Sequence, residues 1–211
     1  LQFPITKSTI SLPQGQFDLY VPDAFAVKAY VKISPEGQSF PYWAKLWPAA
    51  IALAAFLQKN PNWVAGKRVA ELAAGLGLPS LVAAKHAKQV WCSDISEEAM
   101  QVAEKSAILN GAKNITFEAC SWSQLPVDFQ ADIVLLSDIN YEPFVFNELE
   151  QVLKGLLQKG YTLLLATPQR LLAKPFLQRL SGYITNHYEE PVKTQVENTY
   201  VSIFVLKAPK G

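Results

Sequence analysis

Two periodicities divide this chain. From Lys67 onward, short apolar runs alternate with stretches in which apolar residues return every three or four positions. The runs at 67–73, 89–94, 114–119, 131–137 and 161–166 read as strands. The stretches at 77–87, 96–110, 145–158 and 169–181 read as helices. Ser96 followed by Glu97 and Glu98 supplies a hydroxyl cap and two acids at the positive end of a helix dipole. Gly111 and Gly160 each follow a helical stretch, as C-terminal caps do. Between Cys120 and Asp128 the sequence is irregular, with little room for a helix. Strands alternating with helices predict a parallel sheet covered on both faces. The chain ends differently. Apolar runs at 192–196 and 199–207 flank Glu197-Asn198 with no space for a crossover helix, which predicts an antiparallel hairpin closing the sheet.

Upstream of Lys67 the pattern changes. Phe17–Val21 and Ala26–Ile33 alternate apolar and polar residues in short pieces, with Pro22 and Asp23 between them. This predicts a small N-terminal β extension over residues 1–40, ahead of a main domain over 41–211. Trp43, Leu46, Trp47, Ala50, Ile51 and Ala54 then recur at mostly helical spacing, with Pro48 in the first turn of a buried helix.

The 211 residues suit one domain with a small addition. Half are hydrophobic and 18% are charged, which allows a large core and argues against disorder. A net charge of +1 without blocks of like charge gives no footprint for nucleic acid. The apolar run Pro48–Leu57 is too short to span a bilayer, so no membrane partner is expected, and the first residues do not read as a signal peptide. Two cysteines, Cys92 and Cys120, form no disulfide framework and point to a reducing, cytoplasmic compartment. With only two histidines besides, His86 and His187, a zinc site of the usual ligand set is not expected.

Candidate chemistry concentrates between Val69 and Ser96. The first apolar run carries Glu71 near its end, the turn Ala73-Ala74-Gly75-Leu76-Gly77 follows, and the second run ends in Asp94. In an open parallel sheet, ligands sit beyond the carboxyl ends of the strands. Glycine at 75 and 77 lets the backbone turn tightly and approach a ligand, and a carboxylate at 94 can accept both hydroxyls of a ribose. An adenosine-type ligand follows; the competing reading is a plain strand-to-helix turn with Asp94 as a cap. A dinucleotide would want a third glycine where Ser80 stands and no acid beside its pyrophosphate. Glu71 would repel phosphates and suit a cation. S-adenosylmethionine, with a sulfonium, an amino group and no phosphate, therefore fits better than NAD.

The same stretch resembles the first two motifs of the seven-strand class I methyltransferases. The segments PYWAKLWPAAIALAAFL, ELAAGLGLPSLVAAK, SAILNGAKNITF, CSW and LLSDINYEPF narrow the resemblance to the family-16 protein methyltransferases, which include the electron-transfer-flavoprotein β-subunit lysine methyltransferase. It spans residues 40–143; beyond Pro168 only the architecture matches. It implies an α/β, Rossmann-like fold whose seven-stranded, mostly parallel sheet has the order 3-2-1-4-5-7-6 with the last strand antiparallel. It further implies S-adenosylmethionine as cofactor and a protein substrate. Trp47, Glu71, Ala73, Gly75, Gly77, Asp94, Trp122 and Asp138 are the expected cofactor-binding residues. Family members often carry glycine where Ala73 stands; an alanine is tolerable there if its φ is negative.

Asp138 and Tyr141 are the expected catalytic residues, because SDINYEP resembles the Asp-x-x-Tyr motif of seven-strand lysine methyltransferases. A lysine amine, with a pKa of about 10.4, must lose a proton before it attacks a methyl group. The donor's sulfonium charge disfavours the ammonium form. Asp138 can then hold the amine and aim its lone pair, while Tyr141 walls the channel. The competing reading makes Asp138 a turn cap and packs Tyr141 on Pro143. Arginine methylation would use Asp138 with Glu142 to pin a guanidinium. A small-molecule acceptor would want a lid, which the N-terminal extension could provide. An inactive binding module would hold the donor without transferring its methyl. Asn110 is expected to cap its helix and Arg170 to be solvated.

Overall fold

The computed structural model describes residues 1–33, 40–140, 143–169, 173–193 and 198–209. The chain opens with β1 (Ile5–Leu12), β2 (Gly15–Pro22), α1 (Ala24–Ile33) and α2 (Pro48–Lys59). The alternating region supplies β3 (Arg68–Leu72), α3 (Leu78–Ala83), β4 (Gln89–Asp94), α4 (Glu97–Leu109), β5 (Ile115–Ala119) and β6 (Ile133–Ser137). It continues through α5 (Phe146–Gln158), β7 (Thr162–Pro168) and α6 (Ala173–Arg179) to the closing hairpin β8 (Ile184–Lys193) and β9 (Asn198–Leu206). Seven strands form one sheet in the order β5-β4-β3-β6-β7-β9-β8. Counted from β3, that is the expected order 3-2-1-4-5-7-6. Only β9 runs against its neighbours β7 and β8. The chain builds outward from β3 to β5, then returns to place β6 on the other side of β3. That reversal opens a crevice at the carboxyl ends of β3, β4 and β6.

Alternation along each strand divides the core between two faces. Val69, Ile133, Leu135, Leu164, Ile203 and Val205 join one apolar cluster with α2, α3 and α4. Ala70, Leu72, Val134, Leu136, Leu163 and Leu165 join the other, with Leu149, Leu153, Leu156 and Leu157 of α5 and Phe176 of α6. A strand buried on both sides needs apolar residues at every position, which is why these runs are continuous rather than alternating. Burying each Leu contributes about 1.5–3 kcal/mol. Helix α2 begins at Pro48 as expected, and nearly every residue from Ala49 to Gln58 is buried. The Ser96 hydroxyl accepts from Ala99 N at 3.2 Å, and Gly111 and Gly160 take φ of 66° and 85° beyond their helices. Both cysteines are free thiols. No helix among the described residues is long and apolar enough to cross a membrane.

The N-terminal region departs from the expectation. β1 and β2 pair as an antiparallel hairpin, but Ala26–Ile33 lies in the helix α1 rather than in a strand. Asp23 decides this: its Oδ1 accepts from Ala26 N at 2.8 Å, and its carbonyl accepts from Val27 N at 3.0 Å. That cap starts a helix whose Ala26, Val27 and Tyr30 turn inward together. The hairpin docks on α4. Asn110 Oδ1 accepts from Asp18 N at 3.1 Å, and Asn110 Nδ2 donates to the carbonyls of Asp18 and Ser106, both at 2.7 Å. Asn110 thus ends α4 and anchors β2. Phe3, beside Tyr30 of α1, lies 6.1 Å from the Trp43 ring and supports the segment leading into α2.

Candidate functional site

The turn after β3 is held by its neighbours. Ala74 N donates to Ser93 O at 2.9 Å, and Gly77 N donates to Ala74 O at 2.9 Å. Gly75 and Gly77 have φ of 54° and 69°. A side chain at Gly75 would press on the backbone of Trp43, 3.5 Å away, so this turn and the segment before α2 face each other closely. A side chain at Gly77 would stand 3.3 Å from Ala103 Cβ and Cys92 Sγ, which ties that glycine to packing against α4 and β4. Ala73 has φ of 52°, so the condition of a negative φ is not met. The left-handed region costs an alanine about 1–2 kcal/mol. Ala73→Gly should therefore raise the melting temperature by roughly 1–4 °C in thermal denaturation. A drop would mean that the alanine methyl contributes more by packing than its backbone loses.

A cavity of about 430 Å³ opens at this crevice. Trp47, Ala73, Gly75, Asp94, Trp122 and Asp138 all line it; Glu71 and Gly77 do not. Tyr141, Glu142 and Arg170 lie outside the described residues. The Asp94 carboxylate is nearly buried; its Oδ2 accepts from Gly75 N and its Oδ1 from Ser96 N, both at 2.9 Å. Burial pushes its pKa up, against the pull of those backbone bonds. It therefore braces the turn as well as facing the cavity. Trp47 Nε1 donates to Tyr42 O at 2.8 Å, which fixes the ring plane.

Glu71 lies beneath the turn and does not line the cavity. It is fully buried, and its Oε2 accepts from Ser80 N at 2.8 Å and Ser80 Oγ at 2.5 Å. Its Oε1 has no partner among the described residues. Burial pushes this carboxyl up to about 8, with the nearby Asp94 charge adding to the rise and the Ser80 bonds opposing it. The raised pKa lets it hold its proton toward neutral pH, which weakens both the phosphate repulsion and the cation attraction of a charged carboxylate there. Ser80, where a dinucleotide site would want glycine, is the residue that satisfies it.

Residues 137–140 carry a second concentration of strain. Asp138 is 8% exposed and has φ of 55°, while its N donates to Ala166 O at 2.8 Å. Ser137 Oγ and both side-chain polar atoms of Asn140 are buried without a partner among the described residues. Each such atom costs about 1–3 kcal/mol. A strained acid flanked by unsatisfied polar groups at the carboxyl end of β6 is the kind of feature found where function rather than stability sets the residues.

The model of the lysine methyltransferase family matches residues 30–182, well over half of the chain. This chain belongs to that family. Among curated relatives, human histone-arginine methyltransferase METTL23 is 31% identical over 54% of this chain and 64% of its own length. The Danio rerio electron transfer flavoprotein beta subunit lysine methyltransferase is 28% identical over 78% of this chain and 65% of its own. The chain spans between about half and two thirds of the length of these curated relatives. Among solved structures, the Thermus thermophilus 16S rRNA N2 G1207 methyltransferase in complex with AdoMet and guanosine superposes with a TM-score of 0.62 at 16% identity. That match covers 96% of this chain and 50% of the other, and it bears on the fold alone.

For this family member the cavity also contains residues that the motifs did not single out: Lys45, Ile95 and Ser137. Ile95 is 79% exposed beside Asp94. An apolar residue wedged between a strand-end acid and a helix-capping serine was its signal. Lys45 was legible only as the one cation in the aromatic stretch PYWAKLWP.

Proposed function

We propose that this chain binds S-adenosylmethionine in the cavity and transfers its methyl group to a lysine side chain of a protein. The observation that carries this reading is the joining of Asp94 and Asp138 in one cavity, on either side of the Gly75 turn. The fit is chemical. Gly75 leaves the backbone bare, Asp94 offers a carboxylate for the ribose hydroxyls, and Ile95 and Trp122 offer apolar surface for the adenine. When bound, the donor supplies a methyl group made electrophilic by its sulfonium. Asp138, at the end of β6, accepts a hydrogen bond from the acceptor amine and aims its lone pair along the line of attack. The amine's proton leaves to solvent before attack. The resemblance gives Tyr141 the wall of the acceptor channel. A cytoplasmic location belongs to the same proposal, supported by two free thiols in a chain without disulfides.

Calorimetry with S-adenosylhomocysteine should show binding, and Asp94→Ala should weaken it by about tenfold, roughly 1.4 kcal/mol. Tight NAD binding with no response to S-adenosylhomocysteine would sink the assignment. Radiolabelled methyl transfer to a cell lysate, followed by hydrolysis of the labelled protein, tests the acceptor. Methyllysine is expected. The similarity to a histone-arginine methyltransferase gives a second reading, and methylarginine in the hydrolysate would select it. Donor binding without transfer to any protein would mark a binding module.

A further inference from the structure

We propose that Lys45 is the anchor for the donor's α-carboxylate; the inference rests on the donor reading above. The donor carries one carboxylate besides its sulfonium and amino group. The described residues lining the cavity include two acids, Asp94 and Asp138, and a single cation, Lys45. Both acids repel a carboxylate, so among the charged side chains of the described lining Lys45 is the one that attracts it.

The structure prepares Lys45 for that contact. Its Nζ lies 4.3 Å from the centroid of the Trp47 ring, and that ring is held by the bond from Trp47 Nε1 to Tyr42 O. A cation resting on a fixed aromatic face gives up less side-chain freedom on binding than a free lysine does. Among the described residues no carboxylate forms an ion pair with Lys45, so its charge is not already spent within the protein. Trp43, two residues earlier, abuts Gly75, and this brings the segment bearing Lys45 against the glycine turn. The same placement explains a lysine on an otherwise aromatic and apolar stretch.

The test pairs two probes on the full chain: S-adenosylhomocysteine, and its decarboxylated analogue S-adenosyl-(3-thiopropyl)amine. The second keeps the adenosine, the thioether and the amine but lacks the carboxylate. By calorimetry the parent protein should bind S-adenosylhomocysteine about tenfold more tightly than the analogue. In Lys45→Met the preference should disappear through loss of S-adenosylhomocysteine affinity alone, and Lys45→Arg should restore most of it. Lys45 is exposed, so these substitutions leave the core intact. Equal weakening of both probes in Lys45→Met would show that the lysine only steadies Trp47, and it would overturn the proposal. So would a parent that does not distinguish the probes. A parent that binds neither probe would instead overturn the donor reading, and the anchor with it.

Discussion

Asp138→Asn should lower methyl-transfer turnover per folded molecule by about a hundredfold while leaving S-adenosylhomocysteine affinity within about twofold. A hundredfold corresponds to roughly 2.7 kcal/mol of lost transition-state stabilisation. The substitution is clean for a backbone reason. Asp138 has φ of 55°, and asparagine tolerates the left-handed region as well as aspartate does. The bond from its N to Ala166 O is unaffected by the side chain. The charge goes, and one of the two acceptor oxygens becomes an amide NH2 donor, so the remaining amide oxygen holds the proposed acceptor amine less well. Donor affinity should hold because the proposed ribose contact is Asp94, at the end of β4, whereas Asp138 follows β6 across the turn. Steady-state kinetics should show the loss in kcat. A lower melting temperature with unchanged kcat would return Asp138 to the role of a turn residue.

Glu71→Gln should remove most of the protein's stability loss between mildly acidic and alkaline pH. The folded protein holds the Glu71 proton to about pH 8, whereas an ordinary glutamate releases it near 4.5. Between those values the folded state binds a proton that the unfolded chain has lost, so stability falls as pH rises. The contribution is complete below about pH 4.5, declines through the window and is gone above about pH 8. Glutamine is the uncharged isostere and has nothing to titrate. At pH 5 the two proteins should unfold at similar urea concentrations. At pH 9 the variant should be the more stable by a margin on the order of 3–5 kcal/mol. Parallel pH profiles would show that the carboxyl is ionised throughout, with its charge balanced in place.

The sequence by itself determined the sheet and its two faces of helices, while the strand order followed from the family resemblance. Continuous apolar runs such as Val134–Leu136 and Leu163–Leu165 can be stable only between two layers, and that demand is visible in the residues themselves. The sequence also determined the caps at Ser96 and Gly111 and the membership of Gly75 and Asp94 in one site, because strand ends and turn glycines are local features. The tertiary structure decided three matters that no local pattern carries. Ala26–Ile33 is a helix because the Asp23 cap and the packing of Val27 and Tyr30 around Phe3 outweigh an ambiguous alternation. Glu71 holds its proton to a higher pH than an ordinary carboxyl because the sheet and α3 close over it, whereas Glu97 and Glu98 sit in the first turn of α4 after the Ser96 cap. Lys45 is the cation among the described residues lining the cavity because a chain segment about thirty residues before the glycine turn folds against that turn, a contact no local pattern carries.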